Sequence, residues 1–147
     1  MFQLRPIGHR LSWLAIAVAG VVLTSCGEQA RPVSGPRVFA ADVSGGARKC
    51  ETSKPDVEAG KTVPATMTVG NDGGWCGVVV TQANGRPFDT GLLTVRPDHG
   101  KVLVHRVGDV TRLTYTPTRG YVGQDAFSVK LIPGDATVRV AVTITAP

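Results

Sequence analysis

The stretch Ala136-Thr137-Val138-Arg139-Val140-Ala141-Val142-Thr143-Ile144-Thr145 decides the fold class. Val138, Val140, Val142 and Ile144 fall on one face of an extended chain, and Thr137, Arg139, Ala141, Thr143 and Thr145 fall on the other. A period of two with β-branched residues on the apolar side is the pattern of a strand with one face in a core and one in water. The same alternation recurs upstream. Phe127, Val129 and Leu131 alternate with Ser128 and Lys130, and Ala65, Met67 and Val69 alternate with Thr66 and Thr68. Val78-Val79-Val80 is a continuous apolar run of the kind expected in a strand covered on both faces, and Leu92–Val95, Lys101–His105 and Arg112–Thr116 supply further strands.

The segments between these strands are turn-forming. Asn71-Asp72-Gly73-Gly74, Asn84-Gly85-Arg86-Pro87, Pro97-Asp98-His99-Gly100, Val107-Gly108-Asp109 and Pro133-Gly134-Asp135 are rich in residues that accept tight or left-handed backbone. The chain has 147 residues, with 18 Gly, 10 Pro and 5% aromatics, a composition for short strands and turns and against a helical bundle. No helix pattern is available to carry a crossover between parallel strands. The expected fold class is all-β, an antiparallel β-sandwich of about seven strands over residues 48–147, with an up-and-down barrel as the structural alternative.

The N-terminal region reads as an address. Arg5, His9 and Arg10 precede an apolar run, Leu11–Leu23, interrupted by Ser12 and Gly20. The run is shorter than the ~20 residues of a spanning helix, so residues 1–25 are expected to be an export signal. Leu23-Thr24-Ser25-Cys26 resembles a bacterial lipobox, which implies that the Cys26 thiol receives a diacylglyceryl group and becomes the mature N-terminus. Acyl chains contribute about 0.8 kcal/mol per buried methylene, so lipid rather than charge would supply membrane attachment. The net charge of +5 includes Arg5 and Arg10 of the signal. In lipoproteins an Asp after the modified cysteine often signals inner-membrane retention. Gly27 stands there, which implies the outer membrane, on its periplasmic or its surface side.

Residues 26–47 read as a lipidated cysteine and flexible linker, with Pro32, Ser34, Gly35, Pro36, Ser44, Gly45 and Gly46. A coil of about 20 residues spans about 25 Å. The alternative for Val38-Phe39-Ala40-Ala41 is an extra edge strand or a segment packed on the domain. With Cys26 assigned to lipid, Cys50 and Cys76 remain as an even pair, and an oxidising compartment makes a disulfide the expected outcome. Trp75, beside Cys76, is a candidate to pack on that bridge.

The segment Leu113-Thr114-Tyr115-Thr116-Pro117-Thr118-Arg119-Gly120-Tyr121-Val122-Gly123-Gln124-Asp125-Ala126-Phe127-Ser128-Val129 resembles the signature of bacterial Ig-like and cadherin-like modules: a strand ending in Thr-Pro, then a Gly-aromatic-x-Gly-x-Asp-x-Phe turn. Val138–Thr145 fills the place of the closing strand. The resemblance implies an Ig-like sandwich, and such domains serve adhesion, spacing, carbohydrate contact and assembly alike. The chain departs from the family at Lys130-Leu131-Ile132-Pro133-Gly134, where an Asp-containing turn is common. Asp125 alone cannot supply the six to eight oxygens of a calcium site, so its expected work is to accept backbone N–H bonds in its turn.

Reactive motifs are missing from the sequence. No Gly-x-Ser-x-Gly elbow, His-Glu-x-x-His helix, phosphate loop or dinucleotide fingerprint occurs, so neither an enzyme nor a cofactor or metal is expected. Export argues against nucleic acid as a partner. The expectation is a non-enzymatic module of the bacterial cell envelope that is held to the membrane by lipid and contacts an envelope protein or cell-wall glycan. The alternative is an inhibitor or chaperone-like protein that acts on a hydrolase through an exposed loop. Asp72, Trp75, Arg86, Asp98, His99 and Lys101 are the candidate binding residues, because they sit on the polar loops Asn71–Trp75, Gln82–Asp89 and Pro97–Lys101.

Overall fold

The structure, a computed structural model, describes residues 39–147. The expected export signal, Cys26 and the first part of the expected linker lie outside the described residues. One helical turn, α1 (Ala40–Val43), precedes eight strands: β1 (Cys50–Thr52), β2 (Thr62–Gly70), β3 (Cys76–Val80), β4 (Thr90–Val95), β5 (Gly100–Val107), β6 (Val110–Pro117), β7 (Gly123–Ile132) and β8 (Thr137–Thr145). The protein is therefore nearly all β. The strands form a five-stranded sheet of order β1-β2-β8-β7-β4 and a three-stranded sheet of order β3-β6-β5.

Each alternating segment delivers its apolar face to the space between the sheets. Val138, Val140, Val142 and Ile144 of β8, Phe127, Val129 and Leu131 of β7, and Ala65, Met67 and Val69 of β2 are buried. They meet Val78 and Val80 of β3 and Leu113 and Tyr115 of β6 in one core. Each such side chain contributes about 1.5–3 kcal/mol on burial, so the alternation is also the main source of stability.

Four features depart from the sequence reading. The first is β1, an eighth strand. All three of its residues are exposed, so no alternation announces it; pairing with Met67–Val69 of β2 makes it a strand. The second is that β2 and β8 pair in parallel, from Thr62↔Thr137 to Gly70↔Thr145, while the other ladders are antiparallel. The third is Val79, which is 43% exposed. The three-stranded sheet has only one face in the core, so the valine run is not covered on both sides. The fourth is α1, where Ala40 and Ala41, part of the segment considered for an extra edge strand, are helical. The Asp42 carboxylate closes the turn by accepting the Phe39 N–H at 2.8 Å.

Beyond α1 the chain stays on the domain as a strap. Ala47 N–H donates to the Trp75 carbonyl at 2.8 Å, Trp75 N–H donates to the Gly45 carbonyl at 3.2 Å, and Trp75 Nε1–H donates to the Ser44 carbonyl at 2.9 Å. Gly74 is what lets the strap pass. A Cβ there would lie 2.4 Å from the Ala47 nitrogen, closer than any side chain permits.

Cys50 and Cys76 form a disulfide with Cα atoms 5.3 Å apart. It ties β1, at one edge of the larger sheet, to β3, at one edge of the smaller. On the loop-entropy account, a bridge across a separation of 26 residues stabilises by about 3–4 kcal/mol. Replacing both cysteines by alanine should lower the free energy of urea unfolding by about that amount. A loss below about 1 kcal/mol would show that β1 and β3 hold together without the bridge.

Candidate functional site

The ladders define two ends. At one, where β2 and β8 finish, the Asn71–Trp75 loop, the Pro97–His99 turn and the β6–β7 turn lie together. At the other lie the β1–β2 loop, the Gln82–Asp89 loop and the Pro133–Gly134 turn.

The first end is organised by Asp125. Its Oδ1 accepts the Asp98 N–H at 3.0 Å and the Ala126 N–H at 2.8 Å; its Oδ2 accepts the His99 N–H at 2.9 Å and the Tyr115 hydroxyl at 2.7 Å. One carboxylate at the start of β7 therefore fixes the turn that carries the chain from β4 to β5; of the backbone bonds expected within its own turn, it accepts the Ala126 N–H, and the other two come from that distant turn. Burial opposes its ionisation. The Tyr115 hydroxyl and the three backbone N–H groups outweigh that penalty and hold its carboxyl below the ordinary range. Burial and the adjacent Asp125 carboxylate push the Tyr115 phenol far up, so it stays a donor. Gly100 admits the Tyr115 ring, which comes within 2.3 Å of where a Cβ would stand. The His99 ring stacks on Tyr121 with centroids 3.7 Å apart, and Asn71 Nδ2 donates to the Thr118 and Tyr121 carbonyls at 2.7 and 2.9 Å.

Several candidate binding residues prove to be braces. The Asp72 carboxylate accepts the Arg48 N–H, the Gly74 N–H and the exposed Arg48 side chain, and the two backbone bonds lower its pKa most. His99 is tied by backbone and ring. Asp98 is held at its backbone and exposes its side chain, and Lys101 is exposed beside it. Arg86 is exposed at the opposite end, so it shares no surface with the others. Its loop is braced by Gln82, whose Nε2–H donates to the Pro87 carbonyl at 2.7 Å, and by Thr111, which exchanges hydrogen bonds with the Phe88 backbone. A cleft of about 540 Å³ lies beside this loop, over Val57 and Phe88, with Asp56 and Glu58 on its rim.

Trp75 turns away from the disulfide. It lies on the outer face of the small sheet with the Arg112 guanidinium carbon 4.1 Å from its ring centroid, a cation–π contact. Arg112 also donates to the Asp42 carbonyl and, from Nη2, to His105 Nε2 at 3.1 Å. An arginine can only donate, so this nitrogen accepts and the imidazole is neutral with its proton on Nδ1. Burial first, and the Arg112 charge second, lower the His105 pKa.

Two surfaces escaped the sequence reading. One is this Trp75–Arg112–His105 cluster. The other is the flank formed by β4 and β5, where Leu92 and Val95, on the outer face of the larger sheet, are 53 and 52% exposed and Leu103, on the outer face of the smaller, is 60% exposed. Between the two strands runs an open groove of about 510 Å³ lined by Leu93, Arg96, Pro97, Gly100, Lys101 and Val102. The adjacent Leu92-Leu93 pair was the available signal, since successive residues of a strand face opposite sides and one of the two must leave the core. Among the described residues no three His, Cys, Asp or Glu side chains come together as metal ligands do. Comparison with family models and with curated proteins returns no match.

Asp125→Ala should cost about 2–4 kcal/mol of stability at neutral pH and Asp125→Asn about half of that, since the amide keeps one acceptor. The carboxylate's folded pKa lies below its unfolded value, so its contribution is full above about pH 4 and fades as pH falls through the folded pKa. The gap between urea melts of Asp125→Asn and the parent chain should accordingly narrow as pH falls below about 4; a gap unchanged by acid would contradict the clamp. His105 has a lowered pKa as well, so its neutral form adds stability above about pH 6.5 that is lost as pH falls through the folded value. In His105→Gln, the urea midpoint should depend less on pH between about 7.5 and 5 than in the parent. Equal slopes would sink the assignment.

Proposed function

We propose that this chain is an envelope lipoprotein, an Ig-like domain tethered through lipid on Cys26 and acting as a non-enzymatic binding or scaffolding module. The observation that carries the binding role is the contrast between braced loops and an unsealed flank. Asp125, Asp72 and Gln82 hold the loops still with their own hydrogen bonds, while Leu92, Val95 and Leu103 face solvent along β4 and β5. Leu92 and Val95 stand on the outer face of the larger sheet and Leu103 on that of the smaller, so exposed aliphatic groups border the open groove between β4 and β5 from both sheets, a mark of a contact surface. The two-sheet sandwich and the Thr-Pro and Gly-Tyr-x-Gly-x-Asp-x-Phe segments at residues 116–127 support the Ig-like identity. The lipobox resemblance at Leu23–Cys26 supports the anchor, and with it an envelope protein or cell-wall glycan as the partner.

Intact mass of the protein purified from a bacterial host with a working lipoprotein pathway tests the anchor. The mature chain should begin at Cys26 and carry diacylglyceryl, and Cys26→Ser should move the protein from the membrane to the soluble fraction. A mature product with an unmodified Cys26 thiol would overturn the reading.

A further inference from the structure

Taking the domain to be a binding module, we infer that the free edge of β4 is a docking strand for an extended, acidic segment of a partner protein, aliphatic at alternate positions, which joins the larger sheet as a sixth strand. Four observations converge on this edge. β4 ends its sheet: it pairs with β7 on one side, and among the described residues no strand pairs with it on the other. An extended chain can therefore take up its outward N–H and C=O groups by strand addition.

The core is also incompletely covered on this flank. Leu93 lines the groove, and Val102 and Val104 of β5 reach the core but are only partly buried. Side chains on one face of an added strand would lie over them, and those on the other would meet the exposed Leu92. On the opposite flank the edge strand β1 has three residues, none of them aliphatic; the other edge there, β3, exposes Val79 but is tied to β1 by the disulfide and carries the entering strap at Trp75.

Charge selects the occupant. Arg96 and Lys101 line the groove and are exposed, and Asp98, at the turn between them, is the acid close by in sequence. Lys130, opposite Leu92 in the β7 ladder, is engaged by Asp135 at 3.1 Å. A second copy of this edge would bring Arg96 and Lys101 against the same cations. Carboxylates between the aliphatic positions of a different chain meet those two cations instead.

The test uses the full chain and two capped synthetic peptides, one alternating valine with glutamate and the other valine with lysine. Amide hydrogen exchange of residues 91–95 should slow at least about tenfold on saturation with the glutamate peptide and stay unchanged with the lysine peptide. The affinity should fall about tenfold in about 0.5 M salt and likewise in the double variant Arg96→Glu, Lys101→Glu. Both positions are exposed, and an unchanged circular dichroism spectrum verifies the variant's fold. Protection confined to another strand, equal binding of the two peptides, or concentration-dependent protection of β4 without peptide would each overturn the inference, the last by identifying a second copy as the occupant. An unacylated Cys26 would end the envelope reading and leave β4 protection intact, whereas absence of that protection on an acylated chain ends this inference alone.

Discussion

Two sheets laid face to face leave two long flanks, and the constraint on which this protein depends is how each flank is held shut. On one, the Cys50–Cys76 bond joins β1 to β3. On the other, the chain itself crosses from β4 to β5 through residues 96–99, and the Asp125 carboxylate pins that crossing by binding the Asp98 and His99 amides while Tyr115 anchors it from the core. The first device acts on the unfolded chain by shortening its reach. The second acts on the folded state, through charge-assisted hydrogen bonds that are strong because they are partly removed from water. Neither extends along β4. A covalent staple and a charged clamp thus set the spacing of the sheets, and among the described residues the outer edge of β4 stays unpaired.

The strap belongs to the same logic. A sequence with Ser44-Gly45-Gly46 has little side chain to bury, and composition alone assigns it to a tether. It is held by backbone bonds to Trp75, by a glycine that clears its path, and by Arg112 reaching the Asp42 carbonyl. Trp75, Arg112 and His105 consequently form a polar-aromatic seam on the outside of the small sheet, where a neutral imidazole steadies the guanidinium. The cluster links the entering chain to the sheet without using the core.

The core was legible because side chains with period two record which face is dry. Val138–Ile144, Phe127–Leu131 and Ala65–Val69 all lie where the alternation puts them. The parallel pairing of β2 with β8 left no trace in the sequence, since a strand with one wet face alternates alike beside a parallel or an antiparallel neighbour. Pro64 is consistent with its place in retrospect: it stands in β2 before the stretch that pairs with β1. β1 itself was invisible, as pairing and a disulfide rather than burial make it a strand. Of the duties of Asp125, only the bond from the Ala126 N–H is local and legible from its turn; those to Asp98, His99 and Tyr115 reach across 10 to 27 residues and depend on how the sheets bring the β4–β5 crossing to β7. The partner of Trp75 was not legible either, because Arg112 arrives from a distant part of the chain and the contact depends on both sheet register and the absence of a side chain at Gly77, where a Cβ would strike Arg112.

The placement of the polar loops bears on where binding energy can come from. Asp72, Asp98, His99 and Lys101 gather at one end and Arg86 stands at the other, so the loop residues cannot act as one patch. Several of them are already engaged inside the domain: the Asp72 carboxylate binds Arg48 and Gly74, and the His99 ring is stacked on Tyr121 while its backbone N–H goes to Asp125. A carboxylate engaged as Asp72 is gains little from an outside partner, because each new bond replaces an existing one. The flank runs along the strands between the two ends, and its unpaired edge and exposed aliphatic groups have no such prior commitment. Contact there removes apolar area from water and exchanges water for backbone hydrogen bonds without breaking any within the domain, which makes the strand edge, rather than the loops, the surface with free energy to gain.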